Sequence, residues 1–150
     1  MPWYSFADTP EKVSEAFISG AIRFIGAAMK LNQALADQVP EQTITFHALE
    51  LGLKAFLIKK GFKPKRLARK PYGHDLEQLY SEAKAAGLVL RFELVEYMLE
   101  WINEWHNGPA RVRYEFAEEK TLPMCEVVFP LIEEIISRTR DTASAEGWLL

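Results

Sequence analysis

From Thr9 onward, apolar and polar residues alternate with a helical rhythm. Thr9-Pro10-Glu11 offers a capping hydroxyl, a proline at the first helical position and an acid in the first turn. Val13, Phe17, Ala21, Phe24, Ala28, Leu31 and Leu35 then fall at the spacing of one helix face. Ile18, Ile22, Ile25 and Met29 form a second stripe beside the first. Two stripes exceed what a surface helix of a bundle needs. This helix is therefore expected either to be central or to meet a second subunit.

Pro40 marks a break, and the next helix is expected from Glu41 to Lys60, apolar on most sides and closed by Gly61 in a left-handed cap. Gly73-His74-Asp75-Leu76 opens a third helix. Asp75 and Gln78 have capping-box spacing, with His74 as the other candidate cap. Leu76, Leu79, Tyr80 and Ala83 are its predicted buried face, and Gly87 ends it. A fourth helix is expected from Leu90 to His106, with Phe92, Val95, Leu99 and Ile102 on one side and Tyr97 and Trp101 on another; Asn107-Gly108-Pro109 stops it. Residues 110–120 read as an irregular connection. A last helix runs from about Pro123 to Arg140, with Pro130 kinking it or splitting off its first turns. The tail from Asp141 to Leu150 is expected to fray, Trp148 and Leu149 being the residues able to dock. The pattern as a whole predicts an all-α fold, an antiparallel bundle of four to five helices.

Composition narrows the class. The 150 residues fit a single domain, with the bundle core over about residues 10–140. Apolar residues at 49% and a net charge of −3 exclude a disordered chain. The single cysteine, Cys125, excludes an intramolecular disulfide, suits a reducing compartment, and is expected to be a small buried hydrophobe rather than a nucleophile. Met1 to Asp8 lacks the pattern of a signal peptide, and no apolar run is long enough to span a bilayer. The expected location is cytoplasmic, away from membranes.

Charge is distributed unevenly. Lys59, Lys60, Lys63, Lys65, Arg66, Arg69 and Lys70, seven of the 18 basic residues, fall between Lys59 and Gly73 without one acid. Such a cluster can bind phosphates by releasing their counterions, and Phe62 and Tyr72 at its flanks are candidates to stack on bases. Its alternative is a solvated loop that simply avoids the core. Glu50 and Lys54, four apart on the most apolar helix, have ion-pair spacing in the favourable order. That pair is either a surface pair or a buried one that needs further hydrogen bonds to break even.

Arg69 and His74 could together hold a scissile phosphate, the histidine as acid or base and the arginine against phosphorane charge. Pro71 and Gly73 lie between them, and the favoured role for His74 is a helix-start residue bonded to the backbone. His47, His74 and His106 fall on three segments, which makes a three-histidine metal site conceivable in a bundle without any spacing that demands it. No metal or other cofactor is expected.

Ala48-Leu49-Glu50-Leu51-Gly52-Leu53-Lys54-Ala55-Phe56-Leu57, then Gly61, then Gly73-His74-Asp75-Leu76 with Leu79 resemble the HEPN (higher eukaryotes and prokaryotes nucleotide-binding) domains. Arg113-Tyr114, after a helix rich in Tyr and Trp, is similar to the Arg-Tyr that closes a later helix in many members. The resemblance extends over about Val13 to Ile136. It implies a four- or five-helix bundle, commonly a homodimer, involved with nucleotides or RNA. Many members are ribonucleases, and many partner a small nucleotidyltransferase in toxin–antitoxin or defence systems. An enzyme of this pattern would be a metal-independent ribonuclease with Arg69 and His74 as its catalytic residues. Lys63, Lys65, Arg66, Arg69, Lys70, Tyr72, Arg111, Arg113 and Tyr114 are the expected nucleotide- or RNA-binding residues. The chain departs from the ribonuclease pattern: Pro71 interrupts the one Arg-to-His spacing, and no histidine follows Arg111 and Arg113. Nuclease activity is therefore expected to be weak or absent. The alternative is a non-catalytic interaction bundle that partners a nucleotidyltransferase-like protein, and a third class is a metal-dependent bundle enzyme.

Overall fold

The computed structural model describes residues 8–33, 38–107 and 125–149. Among these the chain is all helical: α1 (Pro10–Gln33), α2 (Gln38–Lys59), α3 (Pro64–Leu67), α4 (Leu76–Ala85), α5 (Val95–His106) and α6 (Cys125–Asp141). Five longer helices and the single turn of α3 make the expected bundle. No described helix is long and apolar enough to cross a membrane.

Thr9 caps α1 as its sequence predicts: its hydroxyl accepts the Lys12 amide at 3.3 Å. Ser14 donates to the Ala55 carbonyl at 2.7 Å, and the Phe24 ring meets His47 edge-on at 4.8 Å, so α1 runs antiparallel to α2. The helix at the centre is α2. Phe46, Ala48, Leu49, Leu53, Ala55, Phe56, Leu57 and Ile58 are all at most 1% exposed, whichever side of the helix they face. The second stripe of α1 divides accordingly, with Ile18 and Ile25 buried and Ile22 and Met29 exposed. Pro40 does not break α2; it sits in the first turn, where a missing N–H costs nothing.

Gly61 adopts φ +102° and reverses the chain after α2, its amide bonded to the Ile58 carbonyl and that of Phe62 to Leu57. The C-terminal tail, expected to fray, docks on this end. Ala145 donates to the Lys59 carbonyl at 2.8 Å and Leu149 to the Gly61 carbonyl at 2.7 Å, with Trp148 packed on the core. The buried Lys59 ammonium returns the favour, donating to the carbonyls of Thr139 and Arg140 at the end of α6. The end of α2 and the chain after α6 are thus tied to each other from both sides, where carbonyls run out of intrahelical donors. Thr45 beside Cys125, Gly52 beside Ile135 and Lys59 beside Thr139 show α6 running parallel to α2. Pro130 lies within α6, which is continuous from Cys125.

The buried face predicted for α4 is the observed one, and Asp75 is its N-cap, accepting the Glu77 and Gln78 amides at 3.1 Å. By contrast α5 starts at Val95, five residues later than its periodicity suggests. The Glu134 carboxylate of α6 accepts the amides of Arg91 and Phe92 and holds that stretch out of the helix, while Leu94 turns at φ +61°. Asn103 on α5 reaches the start of α4, and Lys84 on α4 pairs with Glu96 on α5, so these two helices are antiparallel. The connection of residues 110–120, and with it Arg111, Arg113 and Tyr114, lies outside the described residues.

Candidate functional site

A carboxylate on the most buried helix has to find donors, because an unpaired charge there is very costly. The Glu50 side chain is 3% exposed and finds three. Lys54, one turn on, donates to Oε2 at 3.0 Å. His106, the last residue of α5, approaches Oε1 with Nε2 at 2.7 Å, and His74, just before α4, approaches the same oxygen with Nδ1 at 2.8 Å. The pair read from the sequence is therefore the buried kind, and the histidines supply the further hydrogen bonds it requires.

These contacts fix protons. Burial, the largest single influence on Glu50, pushes its carboxyl upward. The His106 hydrogen bond, the Lys54 charge, the His106 charge and the His74 hydrogen bond outweigh it and hold the carboxyl down at about 2. An ionised carboxylate only accepts, so His74 carries its proton on Nδ1 and His106 carries one on Nε2. The nitrogens turned away from Glu50 are then Nε2 of His74 and Nδ1 of His106. The His74 side chain is 60% exposed and that of His106 12%, with the two rings edge to face at 6.0 Å. The outer histidine is thus a mostly exposed ring anchored on its inner side.

His74 does not take the backbone-bonding role favoured from the sequence; Asp75 caps the helix and His74 bonds α2. Its partner is Glu50 rather than Arg69. Arg69 is exposed, and its carbonyl accepts the Tyr72 and Gly73 amides to form the turn between them. Lys63, Lys65, Arg66, Arg69 and Lys70 are all exposed on this segment, Lys60 is half-buried, and Lys59 is committed to α6. Phe62 and Tyr72 are 7% and 8% exposed, which corrects their reading as base-stacking platforms. The Arg66 guanidinium lies over both rings instead, 4.7 Å from one centroid and 5.9 Å from the other.

The three-histidine arrangement does not form. His47 sits one turn before Glu50 on α2, against Phe24, and burial lowers its pKa. Glu50 joins His74 and His106 in its place, their ligand atoms all within 4.8 Å. Metal–ligand bonds of about 2.0–2.1 Å in a tetrahedron set ligands about 3.3 Å apart. The 2.7 and 2.8 Å separations here are those of charge-assisted hydrogen bonds, and Lys54 occupies the remaining oxygen. The cluster has the geometry of a hydrogen-bonded ionic network around one carboxylate.

Two features of this region were not read from the sequence: His106 as the partner of Glu50, and the role of Asn103 beside it. Asn103 is buried on α5 and bonds Asp75, Leu76 and Glu77. The usable signal was the acid on an apolar helix, which demands donors from elsewhere. Searches of protein-family models, of curated proteins and of solved structures return no match to this chain.

Proposed function

We propose that the chain is an RNA- or nucleotide-binding helical module of the HEPN kind, in which the surface of residues 63–70 holds phosphates and His74 is the acid–base group beside it. The observation that carries this reading is His74: an imidazole open to solvent, tied through Nδ1 to a buried carboxylate, following directly on five exposed cations with no acid among them. Clustered Lys and Arg attract phosphate by counterion release, and arginine can grip it with two donors. A carboxylate-held imidazole keeps its orientation, and imidazole is the side chain most often used as acid or base. With Phe62 and Tyr72 covered, binding rests on phosphates and carries little sequence preference. Cleavage is slow in this reading, because His106, the second candidate for proton transfer, is largely covered. By the resemblance, the biological setting is a toxin–antitoxin or defence system.

Titration with labelled single-stranded RNA at two salt concentrations tests this. Affinity is expected to fall with salt, by a log–log slope of about −0.7 per phosphate contact. An Arg66→Ala/Arg69→Ala variant should lose about two contacts from that slope. Absent or salt-independent binding of the unaltered protein overturns the proposal. Any cleavage should persist in chelator and vanish in His74→Ala.

A second reading, a protein-interaction bundle that forms a homodimer or docks on a nucleotidyltransferase-like partner, draws on α1. Ile22 is 45% and Met29 36% exposed on one face of that helix. Ile22, Ile25, Ile136 and Arg140 line an open groove of about 440 Å³ between α1 and α6. Light scattering on the order of tens of micromolar is expected to find a dimer. Ile22→Glu should dissociate it and Ala27→Glu, exposed on the far side of the same helix, should not; a monomeric unaltered protein removes the homodimer.

A further inference from the structure

The Glu50 cluster draws its members from three separate elements, and one further residue ties two of them together. Asn103 is only 6% exposed, and its amide makes three hydrogen bonds, all to the three residues that follow His74. Its Oδ1 accepts the Leu76 amide at 2.9 Å; its Nδ2 donates to Asp75 Oδ1 at 2.9 Å and to Glu77 Oε2 at 3.0 Å. The division of labour at the start of α4 is complete: Asp75 takes the amides of Glu77 and Gln78, and Asn103 takes that of Leu76. The Leu76 amide is the buried one, and leaving it unpaired would be costly.

Asn103 and His106 are three residues apart on α5, so both project from one face of that helix. One helix therefore supplies the second histidine of the cluster and the clamp on the backbone beside the first. Glu50, on α2, completes the triangle. The 2.8 Å bond from His74 to Glu50 has little slack: an outward shift of about 1 Å takes it beyond hydrogen-bonding distance. His74 is mostly exposed, and its ring meets that of His106 edge to face at 6.0 Å.

We propose that Asn103 is the positioning residue of this centre: by pinning the turn of residues 75–77 to α5, it holds the imidazole of His74 at hydrogen-bonding distance from Glu50. The inference deepens the reading of His74 as an acid–base group. Its test reads the imidazole itself, so a failure to bind RNA leaves it standing, and its own failure leaves RNA binding untouched.

Asn103→Leu keeps the volume of the side chain and removes every hydrogen bond. Imidazole nitrogen NMR of the unaltered protein, taken above the ordinary histidine range, is expected to show His74 protonated on Nδ1 and His106 on Nε2. In Asn103→Leu with unchanged helix content, the His74 Nδ1–H signal should be lost to exchange while the His106 signal stays. Retention of both signals overturns the proposal. Loss of both also overturns it, since that marks a general structural role. Should Asn103→Leu fail to fold, amide hydrogen exchange of the unaltered protein decides. Leu76 protected as strongly as the interior of α5 supports the clamp, and Leu76 exchanging like an uncapped first-turn amide overturns it.

Discussion

Glu50→Ala is expected to lose about 3–5 kcal/mol of stability in chemical denaturation, the cost of breaking a buried ion pair by removing one partner. The alanine leaves the Lys54 ammonium, its side chain 10% exposed, without its acceptor, and it strips His106 and His74 of theirs. For a domain of this size the corresponding fall in Tm is on the order of 10 °C. Glu50→Gln should cost less, since its carbonyl can still accept from an imidazole. Adding Lys54→Met to Glu50→Gln should recover part of the loss, because the uncompensated charge is then gone. A Glu50→Ala protein within 1 kcal/mol of the original would mean that water, rather than this network, solvates the lysine.

The same residue sets a pH dependence. The carboxyl of Glu50 lies at about 2 in the folded chain against an ordinary 4.5. A depressed acid contributes stability that is fully present above its unfolded value and is lost as pH falls through the folded one. The contribution, about 3 kcal/mol, should disappear between the two values. Denaturation midpoints measured across that window should slope for the original protein and flatten for Glu50→Gln. Equal slopes in the two would show that other carboxylates dominate acid unfolding.

Local signals in the sequence were read correctly where the chemistry is local. The Thr9 and Asp75 caps, the reversal at Gly61 and the buried face of α4 each involve residues within a few positions of one another. The Glu50–Lys54 pair belongs to this group, being one turn of one helix. Failures began where the deciding atom is distant. The stretch before α5 has helical periodicity, yet Glu134, more than forty residues on, accepts the amides of Arg91 and Phe92 and competes with the helix. The tail is expected to fray, with Trp148 and Leu149 able to dock; both do, but the carbonyls of Lys59 and Gly61 that hold the tail are announced by no pattern within it. His106 lies 56 residues from Glu50, and nothing at the end of α5 distinguishes a histidine that closes a helix from one that donates to a buried acid. The burial of Phe62 and Tyr72 likewise follows from packing beneath Arg66, whereas the sequence shows only aromatics flanking positive charge.

Which helix is central was also decided at a distance, and it carries the second large prediction. Two apolar stripes on α1 made that helix a candidate, whereas α2 shows almost no preferred side because nearly every side is buried. A helix apolar all round belongs in the middle of its domain. Phe56 sits near the end of α2, 1% exposed, with the Lys60 ammonium 5.6 Å from its ring centroid. Phe56→Ala is expected to cost about 3–5 kcal/mol, from lost transfer free energy together with the cavity that rigid neighbours cannot close. Val127→Ala, at a position 46% exposed on α6, should cost well under 1 kcal/mol. Denaturant titrations of the two variants measure the difference, with the slope against denaturant checked for constancy. Near-equal losses would mean that the end of α2 relaxes into the space left by the ring, and that the core is held at the middle of the helix, around Leu49 and Leu53, rather than along its whole length.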